Sequence, residues 1–218
     1  MANPIQLHIE PWGTPSARKI AKIVEVLHDG GVAGYPTDSI YALGCAIEAK
    51  GAIEQIHRAK GMPKNHRMAL ICPDLSTASQ YGHFNQTAFR LAQRIFPGPY
   101  TLVVPASREV PRALMDHKRR TVGIRVTSHP IAQAIVSELG RPLLTTSAIS
   151  PATGEPCRDI DEVLEAFERF LDVVVEATPT EEAPSTVLEV DGDEIILVRA
   201  GQGPVDGILD GCGPCSGR

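Results

Sequence analysis

GGVAGYPTDSIYALGCAI, residues 30–47, is the stretch that decides the fold. A glycine pair opens an apolar run, Tyr35-Pro36-Thr37-Asp38-Ser39 interrupts it with polar atoms, and Tyr41, Ala42 and Leu43 restart it. The pattern predicts two short buried strands, 32–36 and 41–47, in direct succession around a kink. Upstream, Thr14 or Ser16 can cap a helix carrying Ile20, Ile23, Val24 and Leu27 on one face, with Gly30-Gly31 as its stop. A helix followed by two serial strands is not the repeat of a purely parallel sheet.

Outward from there, helices and strands interleave. "GAIEQIHRAK" (51–60) reads as a short helix and "MALICP" (68–73) as a buried strand. A helix at 86–96 stops at Pro97-Gly98-Pro99, and "YTLVVPAS" (100–107) restarts a strand. Strands at 121–127 and 141–148 flank a helix at 129–140, and Asp159 caps an amphipathic helix over 159–170. "DVVVEA", "STVLEV" and "EIILVRA" close the chain as three strand-like runs. The expected fold is one α/β domain with a mixed, twisted sheet over residues 1–203 and a flexible tail over 204–218.

Charge is unevenly placed. Residues 1–154 hold 17 Lys and Arg against 10 Asp and Glu, a net of +7, and residues 155–194 hold 2 against 14, a net of −12. An acidic solvated face explains the second block, and an anion-binding site in the first part explains both. No apolar run approaches the roughly 18 residues that cross a bilayer. The N-terminal residues lack a secretion signal, so no membrane association and a cytoplasmic location are expected. The five cysteines are expected as free thiols, and Cys212-Gly-Pro-Cys215 near the C-terminus resembles a redox dithiol without the helix that would activate it.

Polar residues gather at the predicted strand ends: Thr37, Asp38 and Ser39; Thr145, Thr146, Ser147 and Ser150; Pro184, Ser185 and Thr186. Turn chemistry accounts for each cluster singly. Lining one cleft accounts for all three, because open α/β sheets bind ligands beyond strand ends. "HRAKGMPKNHR" (57–67) adds a cationic loop in which Lys60 reads as a surface cation at a helix end. Lys64 and Arg67 lie past the proline, where the helix dipole does not explain them. Arg125 falls mid-strand, a costly place for a charge without a partner or a bound anion, and Arg199 raises the same question. Neither a P-loop nor a dinucleotide glycine fingerprint is present, so a nucleotide site must be built in another way.

Together "GGVAGYPTDSIYALGC", "RAKGMPKNHRMALI", "FPGPYTLVVPAS", "TVGIRVTSHPIAQAI", "PLLTTSAIS", "APSTVLEV" and "ILVRAGQG" resemble the YrdC/YciO family over about residues 15–203, and the opening segment looks closest to the YciO branch. The resemblance implies the YrdC/RibB type of twisted sheet with a deep positively charged cleft. It also implies synthesis of threonylcarbamoyl-AMP and pyrophosphate from L-threonine, bicarbonate and ATP, with Mg²⁺ on the phosphates, no protein-bound metal site and no covalent nucleophile. The product serves the t6A modification of tRNA, with other proteins of that pathway as partners. Carried over by position, Thr37, His66, Arg125 and Ser185 bind the amino acid, and Lys60, Lys64, Thr146, Ser147 and Arg199 bind the nucleotide. Lys60 and Arg125 also act as electrostatic stabilisers.

Two positions depart from the family pattern. Its Lys-x-Arg motif reads Lys60-Gly61-Met62, and its Ser-x-Asn motif reads Ser147-Ala148-Ile149. Losing a cationic clamp and an amide costs about 1.5–3 kcal/mol each, which combined is about 100- to 10,000-fold in rate or affinity. A module that grips a nucleotide, tRNA or double-stranded RNA without turnover is the alternative. The basic run "RALMDHKRRTVGIR" (112–125) favours it. The acidic overall charge and the scarcity of aromatic stacking residues oppose it.

Overall fold

In the computed structural model, residues 3–10, 14–61, 68–116, 118–178 and 180–209 are described. The two strands of the opening stretch are β2 (Ala33–Tyr35) and β3 (Ala42–Ala46), antiparallel neighbours at the centre of a ten-stranded sheet. The others are β1 (Ile5–His8), β4 (Ala69–Ile71), β5 (Tyr100–Pro105), β6 (Thr121–Arg125), β7 (Leu143–Ser147), β8 (Val173–Glu176), β9 (Thr186–Asp191) and β10 (Glu194–Arg199). Their spatial order is β1-β8-β2-β3-β7-β4-β6-β5-β9-β10, with four parallel and five antiparallel pairings. The sheet is therefore mixed, as expected.

Among the described residues six α-helices accompany it: α1 (Ala17–His28), α2 (Lys50–Ala59), α3 (Leu75–Tyr81), α4 (Gln86–Ile95), α5 (Pro130–Leu139) and α6 (Ile160–Phe167). Asp159 caps α6 through a side-chain bond from the Glu162 amide. Ser16 occupies the cap position of α1 but its side chain makes no capping bond. The helix ends where Gly30 takes a positive φ of 82°, open to glycine without strain.

Two elements were not expected. In β1 only the half-buried Leu7 faces inward, so its pattern is too weak to read, and it is held by parallel pairing with β8. The segment of α3, "LSTASQY", is rich in turn formers. It becomes helical because Asp74 accepts a bond from the Thr77 amide and Ala78 buries fully. The tail expected from 204 onward packs for its first residues. Ile208 is buried in the core, and the Tyr100 hydroxyl donates to the Pro204 carbonyl at 2.9 Å. Cys212 and Cys215 lie outside the described residues. Among those described, Cys45, Cys72 and Cys157 are buried free thiols, and no helix is long and apolar enough to cross a membrane.

The helices cover the two faces unequally. On one face α2, α4 and α6 bury Ile56, Leu91 and Phe167 against Leu43, Leu70, Leu102, Ile124, Leu144 and Leu188. On the other, α1 and α5 pack on the β8-β2-β3-β7 side and at the Ile71 end of β4, against Tyr35, Leu143 and Val173. Beyond Ile71, no residue on that second face of β4, β6, β5 and β9 belongs to either core cluster. Its residues alternate with the buried ones at period two: Ala69, Thr101, Val103, Thr121, Gly123, Arg125, Val187 and Glu189. Ala69 and Gly123 are small, which leaves room for a cavity.

Candidate functional site

That open face carries a cavity of about 260 Å³. Lys60, Arg125, Thr146, Ser147, Ser185 and Arg199 all line it, so six of the expected site residues, far apart in sequence, meet at one place. Thr37 is not among the lining residues. His66 and Lys64 lie outside the described residues, as does Met62. Ile149, which stands where the family pattern has an asparagine, lines the cavity.

Lys60 reaches the site from the end of α2, where it is the capping residue ahead of Gly61 at φ 58°. It is 7% exposed, not the surface cation expected from its place at a helix end. The reason is helical spacing: Lys60 follows the buried Ile56 by four residues and shares its inward face. Its ammonium donates to the Ser147 carbonyl. Burial, reinforced by the nearby Arg199, pulls its pKa down to about 8.

Arg125 is 4% exposed and has a counter-charge that the sequence pattern did not reveal. Its Nη2 donates to Asp38 Oδ1 at 2.7 Å and to Ser39 Oγ at 3.2 Å. Asp38 Oδ2 also accepts from the amide and the hydroxyl of Ser128, just ahead of α5. Arg125 Nε is buried without a partner among the described residues. The Pro-Thr-Asp-Ser kink of the opening stretch therefore brings Asp38 to Arg125. Thr37 itself serves the turn, with Oγ1 donating to the Ile40 carbonyl at 2.7 Å and accepting from the Ser39 amide.

Arg199 owes its orientation to an irregularity. On β10, Leu197 pairs with Leu188 and Arg199 with Val187, so Val198 is an extra residue. This β-bulge turns Arg199 onto the face of Val187, where regular alternation would send it to the other side. There Nη2 donates to the Ser185 carbonyl at 2.8 Å. The register completes a row. Val187 pairs with Thr101 on β5, and Thr101 is one residue beyond the Leu102–Ile124 pair, beside Arg125. Arg125 and Arg199 thus flank Thr101 and Val187 across four adjacent strands.

Among the described residues, no carboxylate pairs with Lys60 or Arg199. The cavity also holds Asp116 and Glu189, the latter bonded to Arg119 Nη1 at 2.9 and 3.0 Å. Three cations and two carboxylates therefore line it. Sequence reasoning placed Asp38 in a cleft cluster without its pairing to Arg125, and did not single out Thr101 and Glu189. Thr101 and Glu189 follow the period-two alternation of their strands, but only the register shows which face is open.

The Sua5/YciO/YrdC family model, described as telomere recombination, matches residues 25–201. The chain belongs to this family. Within the Sua5/YciO/YrdC family, the uncharacterized protein YciO of Escherichia coli is 41% identical over 195 residues, 89% of this chain and 95% of YciO. The crystal structure of E. coli YciO matches with a TM-score of 0.88 at 40% identity, covering 93% of this chain and 98% of that one. A threonylcarbamoyl-AMP synthase of Vibrio vulnificus is 33% identical over 159 residues, 72% of this chain and 84% of its own length. The structure of P. abyssi Sua5 complexed with L-threonine shares the fold, with a TM-score of 0.86 at 24% identity over 94% of this chain and 60% of Sua5.

Proposed function

We propose that the chain is an adenylate-forming enzyme of the threonylcarbamoyl-AMP synthase type, with turnover slowed by its departures at Met62 and Ile149. The observation that carries this reading is the convergence of Lys60, Arg125 and Arg199 with the hydroxyls of Thr146, Ser147 and Ser185 in one cavity. In the reaction, the amine of L-threonine captures CO₂ from bicarbonate as a carbamate. A carbamate oxygen attacks the α-phosphorus of ATP, forming a P–O bond as the bond to the β-phosphate oxygen breaks and pyrophosphate leaves. No protein nucleophile takes part. The enzyme contributes position and charge.

Lys60 and Arg199 hold phosphate oxygens, exchanging backbone carbonyls for charged acceptors. Arg125, oriented by Asp38, keeps its buried Nε as a donor for the amino-acid carboxylate. Thr146 and Ser147 border the nucleotide, and Ser185 borders the amino acid. In the same reading His66 and Lys64 supply further contacts from the cationic loop. No group of three His, Cys, Asp or Glu side chains among the described residues forms a metal site. A Mg²⁺ ion arriving with ATP is carried by the phosphates, and no step here is assigned to it.

The product would serve tRNA modification, with tRNA as a downstream partner. The exposed Lys118, Arg119 and Arg120 between β5 and β6 favour RNA contact as a second property of the same protein. The test is incorporation of radiolabelled bicarbonate into a nucleotide adduct in the presence of ATP and L-threonine. Label in an adduct that requires all three reactants supports the reading. Binding of RNA without any labelled adduct overturns it.

A further inference from the structure

Thr101 lines the cavity, and none of the roles assigned to Lys60, Arg125, Ser185 and Arg199 involves it. Its Oγ1 is 2.9 Å from Ser185 Oγ, and both residues are buried. The two hydroxyls carry two protons, and their mutual bond uses one. Arg199 Nη2 approaches Ser185 Oγ at 3.4 Å, which brings a further donor and no acceptor. Among the described residues neither hydroxyl bonds to any other acceptor. One O–H of the pair is therefore left as a donor on the wall of a cavity it shares with two arginines. A donor flanked by Arg125 and Arg199 is complementary to an anionic oxygen.

Thr101 is also seated with care. A Cβ added at Gly123 would stand 3.1 Å from Thr101 Cγ2, so the bare glycine is what accommodates the threonine methyl. A β-branched side chain whose methyl is fixed has one χ1 setting, and here that setting points Oγ1 at Ser185.

We propose that Thr101 is a positioning residue. It fixes the Ser185 hydroxyl so that the pair donates one hydrogen bond to a carboxylate or carbamate oxygen of the acyl substrate lying between Arg125 and Arg199. The inference rests on the adenylate-forming reading and adds a residue to its amino-acid end. Thr101→Val retains the branched shape and removes the hydroxyl. Thr101→Ser retains the hydroxyl and removes the methyl that locks it.

The experiment measures pyrophosphate release with L-threonine, bicarbonate and ATP, taking KM for L-threonine and for ATP separately, alongside melting temperature. For Thr101→Val the expected result is a KM for L-threonine raised about tenfold or more, the loss of one hydrogen bond to a charged group. KM for ATP should stay unchanged, and Thr101→Ser should recover most of the lost affinity. An unchanged KM for L-threonine in Thr101→Val overturns the proposal, as does an equal rise in both KM values. Thr101→Ser as impaired as Thr101→Val also overturns it, because packing of the methyl would then be the cause. Should Thr101→Val not fold, Thr101→Ala takes its place: a KM for L-threonine raised well above that of Thr101→Ser supports the role, and equal values in the two variants overturn it. A wild type that releases no pyrophosphate with L-threonine overturns the reaction itself, together with this role. An active wild type with an indifferent Thr101→Val overturns only the role of Thr101.

Discussion

Replacing Lys60 by methionine should make the folded protein more stable at neutral pH while weakening its hold on ATP. Lys60 is 7% exposed, and its pKa falls from 10.5 to about 8, mainly through desolvation of the ammonium. That difference corresponds to roughly 3 kcal/mol of unfavourable free energy in the charged folded state. The bond from Nζ to the Ser147 carbonyl returns about 1 kcal/mol, so Lys60→Met should stabilise the fold by about 2 kcal/mol at pH 7. Between about pH 8 and pH 10.5 the unfolded lysine still binds its proton and the folded one does not, so wild-type stability rises with pH over that window. The advantage of the variant should accordingly be full below pH 8 and vanish as pH approaches 10.5. Urea unfolding of both proteins across this range reads the difference directly, with other titrations cancelling between them. Parallel stability curves, or a variant less stable at pH 7, would refute the assignment of Lys60 as a buried cation awaiting an anion.

Four further outcomes follow from the same geometry. ATP affinity of the wild type should decline above about pH 8 as Lys60 loses its proton, and Lys60→Met should abolish that dependence, as read by calorimetry. Asp38→Asn leaves the buried Arg125 charge without its carboxylate, so thermal unfolding should show a loss of about 3–5 kcal/mol. A Cβ at Gly201 would stand 2.1 Å from the Pro184 carbonyl oxygen, so Gly201→Ala should displace the Ser185 segment, lowering both melting temperature and pyrophosphate release. Met62→Arg with Ile149→Asn should raise pyrophosphate release by more than the product of the single effects, because both groups act on one transition state. A wild type already as fast as a motif-complete relative would contradict that last expectation.

Much of the sheet was legible because its strands carry unbroken apolar runs, as in "LVV" of β5 and "VVV" of β8, between glycine and proline stops. The order of the strands was not legible. Pairings such as β4 with β7 or β5 with β9 join residues more than seventy positions apart and leave no local mark. At the site, Arg125 announced itself as a charge inside an apolar strand, yet its partner did not. Asp38 looked like one more turn residue until the fold brought it within 2.7 Å. Arg199 was found as a strand cation, although its aim depends on the bulge at Val198, which no periodicity foretells. Thr37 shows the reverse case: its hydroxyl was read as a ligand contact, and it closes the turn that presents Asp38. Lys60 was misread as a surface cation because a helix end collects cations through its dipole, while its helical neighbour Ile56 is in the core.

The most direct test of the central claim is pyrophosphate release by the wild-type chain, assayed with ATP and bicarbonate against each amino acid in turn. The expected release requires both bicarbonate and an amino acid, prefers L-threonine, and falls when Lys60, Arg125 or Arg199 is replaced. Release that ignores the amino acid, or none at all from a protein that still binds RNA in a salt-dependent way, would contradict it.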